Sequence, residues 1–284
     1  MKKLPLISIC IPTYNGEKFI RQALESAYSQ TYPNIELVIS DDASKDDTLE
    51  IIENFSSDKQ LSINIYSHKP SGIGANWNNC IKKAKGEYIK FLFQDDILYP
   101  TCVEELVALA TSDNDAGMVA CKRSIITEGK ETAATASWMK KYGNLQEGMA
   151  LEYSEYYLLD SGFLKRDKFL TNNRIGEPST VLFERSIINK VGYFNEDLVQ
   201  VLDLEFYYRI LKHHNILILN KELASFRIHP GQATNINKDQ ISKDYEKYYR
   251  LLYRDFFWFL GFDSQKKLLK RYHPIGKLYN YLRP

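Results

Sequence analysis

Two adjacent carboxylates, Asp95 and Asp96, close the apolar run Phe-Leu-Phe-Gln of residues 91–94. Paired acids at that point put oxygen ligands where a strand leaves the core. Such ligands suit a hard divalent cation held jointly with phosphates. The plainer use of the same residues is a turn, where Asp is common. A second pair, Asp41 and Asp42, follows the apolar run 35–39 and opens D-D-A-S-K-D-D-T (41–48). An acid after the second strand of a nucleotide-binding sheet accepts hydrogen bonds from ribose or base. Ser44 to Asp47 read as caps for the helix that follows. A third polar cluster, Thr13-Tyr14-Asn15, comes after the run 6–11 and Pro12. Neither GxGxxG nor GxxxxGK[ST] occurs, so a dinucleotide fingerprint and a P-loop are both excluded.

The elements that must position these clusters alternate. Runs 6–11, 35–39, 63–66, 87–93 and 117–121 read as strands. Between them, helical spacing marks 17–30, 44–55, 73–85 and the stretch after Pro100. Phe19, Ile20, Ala23, Leu24, Ala27 and Tyr28 form the apolar face of the first helix. This alternation predicts an α/β fold with a mainly parallel central sheet flanked by helices. Ligands of such sheets bind outside the carboxyl ends of the strands. All three polar clusters lie at such ends, and so on one edge of one sheet. The stretch 123–175 is poorly periodic and reads as loops and short helices. Further on, 179–183 and 216–219 read as strands, and 185–191 and 203–213 as helices. Residues 238–260 read as a helix with Ile241, Tyr245, Tyr248, Leu252, Phe256 and Phe259 on one stripe.

Composition narrows the class. The 284 residues hold 37 Lys and Arg against 36 Asp and Glu, a net charge of +1, with 44% hydrophobic residues. Disordered chains lack the apolar content, and uniformly basic nucleic-acid binders lack the balance. Nucleic acid is therefore not an expected partner. Four cysteines (Cys10, Cys80, Cys102, Cys121) form no CxxC pair. They read as buried thiols in a reducing compartment. No run approaches the roughly 18 apolar residues of a membrane span. A cytoplasmic location is expected, with peripheral attachment at the cytoplasmic face of a membrane. Residues 238–284 carry eleven Lys and Arg against five Asp and Glu, a net of +6, leaving −5 for residues 1–237. Aromatics interleave with this charge: Phe256, Phe257, Trp258, Phe259, Phe262, Tyr272, Tyr279 and Tyr281. Basic charge beside exposed aromatics fits an anionic membrane interface. The other use of such a stretch is a helix packed on a catalytic domain with its cations in water. The expected organisation is a catalytic domain over 1–237 and a helical extension over 238–284.

Five segments occur in a fixed order: I-P-T-Y-N-G (11–16), D-D-A-S-K-D-D-T (41–48), G-I-G-A-N-W-N (72–78), A-K-G-E-Y-I-K-F-L-F-Q-D-D-I-L (84–98) and V-L-D-L-E-F-Y-Y-R (201–209). Together they resemble the family-two glycosyltransferases of GT-A fold, over about residues 5–230. The resemblance implies a nucleotide-sugar donor of uridine or thymidine diphosphate type and a divalent metal, Mg2+ or Mn2+. It also implies inverting transfer to a hydroxyl of a saccharide or lipid-linked acceptor. Pro12, Thr13 and Tyr14 match the segment around the base, with Tyr14 stacking. Asp42 matches the acid that hydrogen-bonds the base, and Asp41 is its neighbour. Asp95 and Asp96 match the acids that hold ribose, metal and diphosphate. Asn78 matches the Asn of an Ala-Arg-Asn segment. Asp203 matches the catalytic base, with Glu205, Glu196 and Asp197 as competing acids. Ser225-Phe226-Arg227-Ile228-His229-Pro230 resembles the family's Arg-X-His segment, so Arg227 faces the diphosphate and His229 the metal. Two positions depart from the pattern. Phe93 stands where the first acid of Asp-X-Asp would be, and Trp77 where the Arg would be. The departures leave a second reading, a non-catalytic sugar-nucleotide-binding or assembly subunit of a membrane-associated complex.

Overall fold

Strands β1 (Ile7–Thr13), β2 (Ile35–Asp41), β3 (Ser62–Ser67) and β4 (Tyr88–Phe91) pair in parallel in the spatial order β3-β2-β1-β4. β1 and β2 are buried along their whole length. Parallel strands covered on both faces read as near-continuous apolar runs, which is why these were visible in the sequence. The covering helices are α1 (Ile20–Tyr28), α2 (Thr48–Glu53) and α3 (Ile73–Lys83). α1 buries Ile20, Ala23, Leu24, Ala27 and Tyr28, the stripe its spacing predicts. The computed structural model describes residues 4–55, 61–113, 115–128, 133–149, 154–166, 170–274 and 276. Tyr279 and Tyr281 of the basic tail lie outside the described residues.

The second half extends the same sheet. It adds β5 (Ile97–Leu98), α4 (Cys102–Ala110), β6 (Ala116–Thr127), α5 (Ala133–Tyr142), β7 (Tyr156–Leu159), β8 (Val181–Glu184), α6 (Ile188–Val191), α7 (Leu202–Leu211) and β9 (Asn215–Ile228). The order becomes β3-β2-β1-β4-β8-β6-β9-β5, with β7 also on β9. The expected parallel pairing holds for the first four strands and for β6 with β9. β8 runs antiparallel to both β4 and β6, and β5 and β7 run antiparallel to β9, so the sheet is mixed. The topology explains the reversal. β6 ends at the same edge as β1 and β2, and β8 descends from that edge. An antiparallel return needs no crossover helix. Between β6 and β8 the chain also runs back along the first residues of β9 as β7, so the irregular stretch spans the sheet from edge to edge.

Two strands are longer than expected. β6 runs on to Thr127, inside the stretch read as loops, and β9 covers fourteen residues where only 216–219 was predicted. Their pairing shifts register between Cys121 and Arg123. Such a bulge breaks the two-residue alternation that marks a strand in sequence. The core lies in two layers. Ile9, Ile11, Leu24 and Leu106 belong to the layer under α1 and α4. Cys80, Phe91, Phe206 and Tyr208 belong to the layer under α3 and α7. All four cysteines are buried and free.

The C-terminal chain forms α8 (Ala233–Ile236), α9 (Ile241–Leu251), a π-helical turn at Leu252–Phe256, a 3-10 turn at Phe257–Phe259 and α10 (Phe262–Tyr272). Tyr248, Leu252, Phe256 and Leu268 enter the α7 layer of the core. The Asp244 carboxylate accepts the amides of Val199, Gln200 and Val201 at 2.9, 2.5 and 3.3 Å, just ahead of α7. The extension therefore packs on the sheet domain along its inner face. Among the described residues no helix is long and apolar enough to cross a membrane.

Candidate functional site

The ends of β1 and β2 are tied together through Asp41. The Thr13 hydroxyl donates to Asp41 Oδ1 at 3.0 Å, and Ser44 donates its amide to Oδ2 at 2.8 Å and its hydroxyl to Oδ1 at 2.6 Å. Asp41 is fully buried by these partners, and Ala43 adopts a φ of 62° to close the turn. Asp42 accepts the amides of Ser71 (2.7 Å) and Gly72 (3.0 Å), the residues that lead into α3. His68 Nδ1 lies 3.4 Å from the same carboxylate. Free amides at a helix start favour an anion there. Asp41 thus joins the ends of β1 and β2 to the turn ahead of α2, and Asp42 joins them to α3. Pro12 is buried within β1, and the Tyr14 side chain stands open, 50% exposed.

A side chain couples this region to the turn after β4. Gln94 Nε2 donates to the Tyr14 carbonyl at 3.0 Å, and Gln94 Oε1 accepts the Tyr14 amide at 2.9 Å. A Cβ at position 16 would crowd the Gln94 amide, so a larger residue there would push that side chain off its two bonds to Tyr14. The next residue, Asp95, places Oδ2 3.0 Å from His229 Nε2. The His229 ring packs on Phe19 with centroids 4.7 Å apart. Arg227 braces the turn from behind. Its Nε donates to the Asp95 carbonyl at 2.8 Å, its amide to Asp96 Oδ1 at 3.1 Å and its Nη2 to Gln22 Oε1 at 2.6 Å. Its guanidinium lies over Phe19, 4.7 Å from the centroid.

The two acids of the turn have different surroundings. Asp95 is part-exposed beside His229. Asp96 is 1% exposed, and its Oδ2 has no hydrogen-bond partner. Burial, and then the nearby charge of Asp95, push the Asp96 carboxyl well above the usual carboxylate range. Asp95 and His229 are therefore the accessible donors for a cation. Among the described residues no group of three or more His, Cys, Asp or Glu side chains is gathered as a metal cage. A carboxylate and an imidazole fit a divalent ion whose remaining positions are filled by phosphate oxygens and water.

Asp203 sits in the first turn of α7. Its Oδ2 accepts Asn173 Nδ2 at 3.0 Å and its Oδ1 accepts the Leu204 amide at 2.8 Å. Burial, with the charge of Glu177 adding to it, pushes this carboxyl up to about 7. Glu177 is held by Arg123 in a two-pronged pair at 2.9 and 2.8 Å. Arg123 also donates to the carbonyls of Tyr142 and Gly143 at 2.7 Å and so fixes the end of α5. The competing acids are occupied or outlying. Glu205 pairs with Arg209 at 2.8 Å, Glu196 accepts Asn78 Nδ2 at 2.9 Å, and Asp197 is exposed.

Asn78 has every polar atom engaged away from the strand ends. Its Nδ2 donates to the Phe194 carbonyl and to Glu196, and its Oδ1 accepts the Phe194 amide, all at 2.9 Å. Asn76 and Asn79 occupy the helix face toward the site instead. Asn76 Nδ2 donates to the Thr13 carbonyl at 3.1 Å and Asn79 Nδ2 to the Ser40 hydroxyl at 2.8 Å. Residues three apart share a helix face, a spacing that would have separated these two from Asn78. Gln94, Asn173 and Gln22 were also not singled out in the sequence. Only Gln94 had a local signal, its place beside the acidic pair.

The family model described as Glycosyl transferase family 2 matches residues 8–192. An uncharacterized glycosyltransferase of Rickettsia typhi is 30% identical over 243 residues, covering 85% of this chain and 70% of that protein. Chondroitin synthase of Escherichia coli is 29% identical over 250 residues, covering 86% of this chain but 32% of that protein. Among solved structures, S. aureus TarS residues 1–349 in complex with UDP superposes with a TM-score of 0.62 at 20% identity, covering 98% of this chain and 73% of that one. A mannosyltransferase from Pyrobaculum calidifontis in complex with GDP-Man and Mn2+ gives 0.66 at 16% identity, covering 89% and 66%. These two share the GT-A type fold.

Proposed function

The chain belongs to glycosyl transferase family 2, and on that premise we propose an inverting, metal-dependent transfer from a nucleoside-diphosphate sugar to an acceptor hydroxyl. Glycosyltransferase activity follows from the family. The donor base is proposed as uridine or thymidine, and the acceptor as a saccharide or lipid-linked saccharide. The observation that carries this reading is Asp203, a carboxyl pushed up to about 7, which feels the same Glu177 charge as Asp96 of the acidic turn. Neighbours of the same fold hold UDP or GDP-Man, which supports a nucleoside diphosphate as the donor class.

In this mechanism Tyr14 stacks on the base, and Asp41 and Asp42 shape its pocket through the turns they hold. Asp95 and His229 hold the cation, Mg2+ or Mn2+, beside the diphosphate. When bound, that ion supplies Lewis-acid stabilisation of the leaving group. Arg227 keeps the acidic turn in place and adds positive charge behind it. Asp96, turned inward, anchors β9 to the turn. Asp203 accepts the proton of the acceptor hydroxyl as that oxygen attacks the anomeric carbon, opposite the departing diphosphate. A base with a pKa near the working pH is matched to that task. The alternative of a non-catalytic subunit drew on Phe93 and Trp77. These two touch each other and leave Asp95, His229 and Asp203 in position. A cytoplasmic, peripheral location suits a lipid-linked acceptor.

The test is a panel of nucleotide sugars with and without Mn2+ or Mg2+, read as thermal stabilisation and as release of nucleoside diphosphate. A ligand at about 100 times its Kd adds about 2.7 kcal/mol to stability. No stabilisation by any nucleotide sugar would overturn the reading.

A further inference from the structure

The aromatic residues of the C-terminal extension separate into two sets. Tyr248 and Phe256 are fully buried, and Tyr245, Tyr249, Tyr253, Phe259 and Tyr272 pack against the core. Trp258 and Phe262 do not. They are 85% and 77% exposed, the two most exposed large apolar side chains among the described residues. Trp258 lies in the 3-10 turn before α10, and Phe262 is the first residue of that helix.

The rest of α10 continues the same surface. Its buried positions are Ser264 and Leu268. The opposite face carries Phe262, Lys266, Leu269 and Lys270, at the i, i+4, i+7, i+8 spacing of a helix stripe. Lys267 flanks it, Arg271 is turned to Glu246 on α9, and Asp263 is the helix's one acid. Leu269 is 39% exposed. Two largely exposed rings, Trp258 resting edge-on against Phe257, thus have cations beside them. Protein–protein interface cores are depleted in Lys. Aromatic rings at headgroup depth with lysines reaching anionic lipids are the pattern of an interfacial helix.

We propose that Trp258 and Phe262 form a wedge that seats α10 on an anionic lipid surface, with Lys266, Lys267 and Lys270 against the headgroups. This deepens the peripheral-location reading and leaves the rest of the extension as core. Two shallow rings and a few cations give reversible, salt-sensitive attachment rather than an anchor.

The experiment is co-sedimentation of the full chain with phosphatidylcholine vesicles, with and without phosphatidylglycerol, at low and high salt. Binding is expected only to the anionic vesicles, and high salt releases it. Trp258→Ala with Phe262→Ala should weaken binding more than tenfold at low salt. Lys266→Gln, Lys267→Gln and Lys270→Gln together should remove the salt dependence. These side chains are exposed, so thermal melts and the shift produced by UDP with Mn2+ should match the parent. Failure of the parent to bind anionic vesicles, or undiminished binding by the double alanine variant, overturns the wedge. Absence of the UDP shift in the parent overturns the proposed function instead, whatever the vesicles show.

Discussion

Trp77 and Phe93 pack ring against ring, 4.8 Å between centroids at 44°. These are the two positions at which the chain departs from the pattern it resembles, which would put an Arg and an acid there. The two departures touch each other, and Phe91 and Phe194 pack around them with centroids 5.9 and 5.1 Å from Trp77. Phe93→Asp alone puts a carboxylate among these rings and should cost about 1–3 kcal/mol. Adding Trp77→Arg should return part of that loss, a coupling of about 0.5–3 kcal/mol in a urea-unfolding double-mutant cycle. Strictly additive losses would show that the two sites are independent.

Asp203→Asn should lower transfer by roughly 10²–10⁴-fold while UDP with Mn2+ still shifts the melting temperature. The base works only when charged, so the parent's rate should climb through an acid limb near pH 7. Asn173 donates to the charged carboxylate, and Asn173→Ala should move the limb to higher pH.

The same carboxyl affects stability with a definite sign. Its folded pKa, about 7, lies above the ordinary 3.8, so the folded state resists charging it. This group's contribution to stability therefore falls as pH rises from about 4 to about 7, and the deficit is complete above that. Asp203→Asn should melt higher than the parent at about pH 8, with the gap closing toward about pH 4. A gap that widens in acid would refute the assignment.

With two protein donors, Asp95 and His229, Mn2+ should bind tightly only when UDP is present, as seen by isothermal titration. His229→Ala should raise the Mn2+ concentration for half-maximal transfer by about tenfold or more, the scale of losing a group in a small ligand set. A chelator should stop transfer, and added Mn2+ should restore it. Unchanged Mn2+ dependence in the alanine variant would remove His229 from the site.

Asn78 offers a contrast. Its three hydrogen bonds hold the 194–196 loop to α3. Asn78→Ala should cost about 1–3 kcal/mol of stability, the scale for orphaning buried partners. The affinity for UDP, measured by titration, should stay within twofold of the parent.

The positions of the polar clusters were readable because β1, β2 and β4 are apolar runs with a polar residue at each end. Asp203 was readable because an acid opening a helix stands out. What escaped was orientation. A single sequence does not show which way a guanidinium turns, so Arg227 was read toward the diphosphate. Its Nε and Nη2 instead reach the Asp95 carbonyl and Gln22. Helix phase separates Asn76 from Asn78, and the run of Asn residues around Trp77 hid it. The register shift at Cys121–Arg123 concealed the length of β6 and β9, and with it the scaffold under Arg227 and His229.

The Asp95–His229 contact spans 134 residues of chain, whereas β1 to β4 need only the first 91. During synthesis β1 to β4 are complete early. The acidic turn lacks both its imidazole partner and its Arg227 brace until β9 has left the ribosome. Long-range pairings of this kind form late in folding. On the proposed function, a nascent chain with Tyr14, Asp41 and Asp42 in place would still lack the pair proposed to hold the cation.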